Sequence, residues 1–128
     1  MVMKKLSPNL GVMNVDNTIA YYTEVLGFEL VLAVPPGGPT DWAVLRNGDI
    51  EMMFQSQTSL VEVLPQLQDK EIGGAFNFYI EVEDIEQLYM RLKDKATIIN
   101  ELHTTSYGMQ EFLIQDCNGF ILTFGERK

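Results

Sequence analysis

The chain is poor in the residues that build metal and disulfide centres: its 128 residues include one cysteine and one histidine. With Cys117 alone, neither an intrachain disulfide nor a cysteine-based metal cluster can form. Basic residues are also few, nine against eighteen acidic ones, for a formal net charge of −9. That balance opposes attachment to nucleic acid or to an anionic membrane, both of which need positive surface. It suits a protein kept dispersed by its charge, and it leaves room for a pocket that draws in cations. No apolar run nears the roughly 20 residues needed to cross a bilayer. The opening "MVMKKL" lacks the apolar stretch of a signal peptide, so a cytoplasmic location is expected, with no nucleic-acid and no membrane partner.

Apolar residues make up 46% of the chain, enough for one domain with a real core. From Pro8 to Met13 the pattern reads as a short strand. In "NVDNTIAYYTEVLGF" Ile19, Tyr22 and Leu26 recur at helical spacing, Asn14 or Asp16 is placed to cap the helix, and Gly27 to end it. Phe28 to Ala33 reads as a strand and Pro35 to Pro39 as a loop. "DWAVLR" and "IEMMFQ" form a hairpin over Asn47-Gly48-Asp49. After an amphipathic stretch, Ser56 to Lys70, the pattern starts again. A strand from Phe76 to Val82 precedes a helix from Asp84 to about Asp94, then a strand near Thr97 to Glu101 and the loop "LHTTSYG". A final hairpin joins "MQEFLIQ" to "FILTFGE" through "DCNG". Strand-helix-strand-strand-strand thus occurs twice, about 70 residues apart, which is the signature of an internal repeat.

The alternation in "FNFYIEV" sorts Phe76, Phe78, Ile80 and Val82 to a core face and Asn77, Tyr79 and Glu81 to the other. If each module covers one sheet face with its helix, the opposite faces are free to line a cavity. The expected fold is α+β: one domain, 1–128, of two βαβββ modules (about 5–56 and 74–126, joined by 57–73) whose curved mixed sheets surround a crevice.

With "AYYTEVLGFEL" after the first strand and "YGMQEFLIQDCNGFILTFGE" at the end, this doubled unit resembles the vicinal oxygen chelate superfamily over essentially the whole chain. That group includes glyoxalase I, extradiol dioxygenases, fosfomycin-resistance enzymes and bleomycin-resistance proteins. Its metal-dependent members hold a divalent ion with two histidines and two glutamates on the first, fourth, fifth and eighth strands. Carried over one at a time, those positions fall on Ser7, Glu51, Asn77 and Thr123. One carboxylate among a serine, an asparagine and a threonine is a poor site for zinc or a transition metal, and magnesium or calcium usually wants more than one carboxylate. No metal and no cofactor are therefore expected.

Pro8, the stretch Tyr107-Gly108-x-x-Glu111-Phe112, and the turn Asp116-x-x-Gly119 make the chain most similar to bleomycin-resistance proteins. The resemblance implies a metal-free homodimer that sequesters a small-molecule ligand, cationic or aromatic, in a crevice shared by two subunits, without changing it. The chain departs from that pattern in having Tyr107 where tryptophan is frequent and Cys117 where proline is.

Seven residues are candidates for the ligand site. Glu51 would pair with a ligand cation and Met53 adapt to its shape, if their face of the fourth strand points into the cavity. Trp42 and Tyr107 would stack on a flat ligand or hold a cation against their rings. Asn77, Tyr79 and Glu111 would supply polar and acidic groups. For Glu51, Met53, Trp42 and Glu111 the plainer readings are solvated or packing residues. His103 has no partner that sequence places beside it and is not taken as a general base; Cys117 reads as a turn-adjacent structural thiol. No catalytic residue is assigned. Two other readings stay open: a metal-dependent lyase, isomerase or dioxygenase of the same superfamily, and an interaction module without a ligand.

Overall fold

Asn-Gly turns, capped helices and alternating strands assemble into two successive α+β units in the computed structural model, which describes residues 1–128. The compact units are Met1–Lys70 and Glu71–Lys128. The first contains β1 (Asn9–Val12), α1 (Val15–Glu24), β2 (Glu29–Val34), β3 (Trp42–Asn47) and β4 (Ile50–Ser56), then α2 (Gln57–Val63) and a single 3-10 turn, Pro65–Leu67. The second contains β5 (Asn77–Glu81), α3 (Ile85–Leu92), β6 (Thr97–Thr104), β7 (Met109–Gln115) and β8 (Ile121–Arg127). Each builds one four-stranded mixed sheet, in the orders β1-β4-β3-β2 and β5-β8-β7-β6. In both, the first and last strands are parallel and the remaining pairs antiparallel. This is the tandem βαβββ plan.

In the first unit, α1 starts where the Asn14 side chain accepts a hydrogen bond from the Asn17 amide at 2.8 Å, relieving one unpaired N–H of the first turn. Asp16, the other candidate cap, instead accepts from the Thr40 amide and hydroxyl at 3.1 and 2.6 Å and ties the Pro35–Pro39 loop to the helix. The helix ends at Glu24 with Val25 as its cap, so Gly27 (φ 75°) turns the chain two residues beyond the stop rather than forming it. Tyr22 is the centre of the packing, its ring 4.8 Å from that of Phe54 and 5.3 Å from that of Phe28. All three are buried with Ala43, Leu45 and Met52, and each large apolar side chain removed from water contributes roughly 1.5–3 kcal/mol.

In the second unit, the carboxylate of Glu126 on β8 accepts from the amides of Asp84 and Ile85 at 3.0 and 3.1 Å. The start of α3 is therefore capped from the sheet, and the Asp84 side chain makes no capping bond. Phe112 lies between Tyr89 and Phe124, 5.1 Å from each ring, over buried Ile85, Leu92, Ile114 and Leu122. In the β7–β8 turn, Asp116 Oδ1 accepts from the amides of Asn118 and Phe120, both at 2.8 Å, and Gly119 takes a positive φ of 87°.

Three expectations change. Phe76 is 40% exposed, and Phe78, Ile80 and Val82 are only half-buried, because β5 is an edge strand. β6 continues through Leu102, His103 and Thr104, where the sequence predicts a loop. The stretch from Ser56 holds a helix, α2, whose Leu60 is buried against Gly11 of β1.

Candidate functional site

Side chains directly opposite one another in paired strands share a face, so the registers sort the candidates. On β4, Glu51 and Met53 stand opposite Arg46 and Val44 of β3, and Gln55 opposite Trp42. Glu51, Met53 and Trp42 thus share one face of the first sheet, all half-buried, while Met52 and Phe54 point to the helix side. Trp42 begins β3 beside Val34 of β2. On this face Glu51 is already engaged: Lys5 Nζ lies 2.8 Å from one carboxylate oxygen, Arg46 Nη2 3.1 Å from the other, and the Ser7 hydroxyl donates at 3.1 Å. The Lys5 ammonium, then the Arg46 guanidinium, with the Ser7 hydroxyl, bring the Glu51 carboxyl down to about 2, against the opposing effect of desolvation.

The second sheet carries a different arrangement. Tyr79 on β5, Thr123 on β8 and Glu111 on β7 share the face turned away from α3. Glu111 is two strands from Asn77, with β8 between them. Tyr79 spans the gap. Its ring crosses β8 above Gly125, where the missing side chain leaves room, and its hydroxyl donates to Glu111 Oε2 at 2.6 Å. Tyr107, from the β6–β7 loop, donates to the same oxygen at 2.9 Å. Glu111 is 5% exposed, whereas Tyr79 and Tyr107 are 49% and 62% exposed: a buried carboxylate between two open aromatic rings. Hydrogen bonding to the carboxylate favours the protonated phenol. It pushes Tyr79 up to about 12, aided by desolvation, and raises Tyr107 as well. Phenols held this way are poor nucleophiles and poor proton donors at neutral pH.

The four positions carried over from the metal-dependent pattern meet in pairs within their own units. Ser7 bonds Glu51, and the Thr123 hydroxyl lies 3.5 Å from Asn77 Oδ1, at the limit of a hydrogen bond. Their chemistry does not fit a divalent ion. The one carboxylate is held by two cations of the chain itself, the others are neutral oxygens, and nowhere do three His, Cys, Asp or Glu side chains converge.

His103 was the residue that sequence could not place. It stands directly opposite Glu111 in the β6–β7 register, with its Nδ1 2.8 Å from the Glu101 carbonyl oxygen. Gly125 and Lys5 were also missed. The signal for Gly125 was a lone glycine inside a strand, which marks close approach by another group; Lys5 left none.

Comparison with known proteins places this architecture. A search of curated proteins returns no match. Among solved structures, TioX from Micromonospora sp. ML1 is 20% identical with a TM-score of 0.78, over 98% of this chain and 100% of its own. The bleomycin-binding protein of the bleomycin producer Streptomyces verticillus, in complex with copper(II)-bleomycin, is 19% identical with a TM-score of 0.69, over 100% and 99%. A glyoxalase/bleomycin resistance protein/dioxygenase from Nocardioides is 13% identical with a TM-score of 0.79, over 99% and 86%. At such identities the likeness is one of fold. The family model matches residues 6–124, nearly the whole chain, and by that match the protein belongs to the Glyoxalase/Bleomycin resistance protein/Dioxygenase superfamily.

Proposed function

We propose that the protein is a metal-free small-molecule binding protein of the bleomycin-resistance type, which sequesters a ligand without altering it. The observation that carries this reading is the Tyr79–Glu111–Tyr107 cluster, which sets a buried carboxylate between two exposed rings on one sheet face. Aromatic walls with a few convergent polar groups are what small-molecule sites are made of. The phenols are held in their protonated form, which favours binding over acid–base chemistry. Asn77, on the same strand and face as Tyr79, is a further residue we assign to this contact, and Trp42, Met53 and Glu51, which share one face of the first sheet, are assigned to ligand contact there. The protein acts as a homodimer with its ligand in a crevice at the subunit interface. In support, edge strand β2 leaves Leu30, Val31, Leu32 and Val34 each 44–46% exposed, more apolar surface than a lone edge strand usually carries.

A thermal-shift screen over bleomycin-type glycopeptides and other planar compounds, followed by mass analysis of the recovered ligand, tests the reading. We expect at least one compound to raise Tm and to be recovered unchanged. Recovery of a converted product would overturn it in favour of an enzyme, as would stoichiometric metal that Glu51→Ala removes. No shift with any compound would favour an interaction module.

A further inference from the structure

The positions of the protons decide what the Tyr79–Glu111–Tyr107 cluster can bind. A phenol has one proton to donate, and both phenols give theirs to the same atom, Glu111 Oε2. Neither has a proton left for a ligand. Glu111 Oε1 accepts no hydrogen bond inside the protein, yet it is not sealed from the surface, although the residue is 95% buried. The cluster therefore presents only lone pairs outward: one oxygen of a carboxylate and two phenol oxygens.

The charge around it has the same sense. Glu81, next along β5 on the same face, is near enough to act on the Tyr79 phenol. Arg127 shares the face of β8, and His103 lies across from Glu111, but neither pairs with the carboxylate: the ion pairs of the chain are those of Glu51, and His103 bonds the Glu101 carbonyl.

We infer that this cluster is a receptor for an organic nitrogen cation with several N–H donors, of the ammonium, amidinium or guanidinium class, seated on Glu111 Oε1 and the two phenol oxygens between the rings of Tyr79 and Tyr107. Glu111 Oε1 and the Tyr79 oxygen need donors that the protein does not supply, the Tyr107 oxygen already having the Thr105 hydroxyl beside it, and a positive charge gains from the carboxylate. A carboxylate or phosphate would meet lone pairs only and is rejected. A neutral amide supplies donors without charge and binds more weakly.

This assignment rests on the binding-protein reading but fails separately from it. The probes are 4-aminobenzamidine, its neutral relative 4-aminobenzamide and its anionic relative 4-aminobenzoate, with binding to the full chain followed by probe fluorescence or calorimetry. We expect the amidine to bind about tenfold tighter than the amide or better, as a charge-assisted bond requires, and the benzoate not to bind. Glu111→Gln should weaken the amidine by about tenfold or more and remove the preference for charge. Tyr107→Phe, which strips one acceptor from an exposed ring, should weaken it by about threefold to tenfold. Failure of the amidine to bind at about 10 mM, equal binding of the amide, or unchanged binding by Glu111→Gln would each overturn the inference. A neutral or anionic ligand from the thermal-shift screen that binds Glu111→Gln as it binds the wild type would do so too, and would leave the binding-protein reading standing.

Discussion

Gly125 joins the interior of the second unit to its polar face, and replacing it by alanine tests the site without removing a polar atom. The residue is buried on β8, paired with Glu81 on one side and Glu111 on the other. A Cβ built there would fall on the Tyr79 hydroxyl and lie 2.6 Å from Cζ of the ring. Its φ is not in the left-handed region, so the backbone accepts alanine and gains roughly 0.5–1 kcal/mol through the unfolded chain. Tyr79 must give way. Because half its surface is already in water, the ring can swing outward without leaving a cavity. The loss is then one hydrogen bond to a charged acceptor, about 1.5–3 kcal/mol, reduced to about 1–2 kcal/mol by the solvent around a half-exposed group. Net destabilisation is about 1 kcal/mol, a fall of roughly 3–5 °C in Tm for a chain of this size. The more telling readout is the phenol itself, followed by tyrosinate absorbance. Tyr79, held at about 12 by Glu111, should return toward its ordinary value of 10 in Gly125→Ala. A raised value means that the native state keeps the proton that the unfolded chain has lost. The contribution is therefore whole below about pH 10 and disappears as pH rises toward 12, so the gap in Tm between the two proteins should close over that range. If Gly125→Ala leaves both the titration and Tm unchanged, Tyr79 does not lie across β8 on Glu111.

Other perturbations reach other contacts. Glu126→Ala removes both acceptors from the start of α3 and should cost about 1–2 kcal/mol in urea unfolding; no change would mean that water caps the helix equally well. Asp84→Gly should stabilise by about 0.5–1 kcal/mol, since Asp84 has φ 54° and its side chain makes no capping bond; a loss of stability would show that the aspartate has a role beyond its backbone. For Glu51, whose carboxyl lies at about 2 in the folded protein against an ordinary 4.5, the unfolded chain takes up the proton first as pH falls. The contribution is whole above about pH 4.5 and lost toward pH 2. The difference in Tm between wild type and Glu51→Gln should follow that window and shrink in salt, because Lys5 and Arg46 are half-exposed; a difference independent of pH would break the assignment.

What could be read from sequence was what repeats locally. Alternation of period two located the strands, and Asn47-Gly48 and Asn118-Gly119 marked the two hairpins, because a tight turn needs the positive φ that glycine supplies. The doubled pattern then led to the fold. The places where the structure departs from the sequence pattern have physical causes. His103 was read as loop because β6 shifts register between Ile98 and Asn100 and again between Asn100 and His103, which destroys the count that would have set it across from Glu111. α2 is only seven residues long, too short for helical periodicity to declare itself. Tyr79 reaches Glu111 over Gly125 only because β5 runs parallel to β8 with Tyr79 beside Thr123, and no side-chain pattern within either strand encodes that pairing. Lys5 reaches Glu51 from 46 residues away on a long flexible stem, and sequence offers no rule for such a pair.

The two strand carboxylates invite the same reading from sequence, yet their surroundings differ. Glu51 is neutralised by the chain's own cations, so a ligand cation would have to displace Lys5 or Arg46 to use it. Glu111 is met only by neutral donors, so its charge remains available although the side chain is nearly buried. Glu111→Gln removes the charge and weakens the phenol bonds without breaking them, since the amide oxygen can still accept both. Its stability should therefore stay within about 1 kcal/mol of the wild type in urea unfolding at neutral pH, while binding of the amidine probe weakens by about tenfold or more. Destabilisation beyond about 2 kcal/mol would instead make Glu111 a structural residue whose phenol bonds hold the sheet together. Stability retained with binding weakened is the pattern of a carboxylate kept for a ligand.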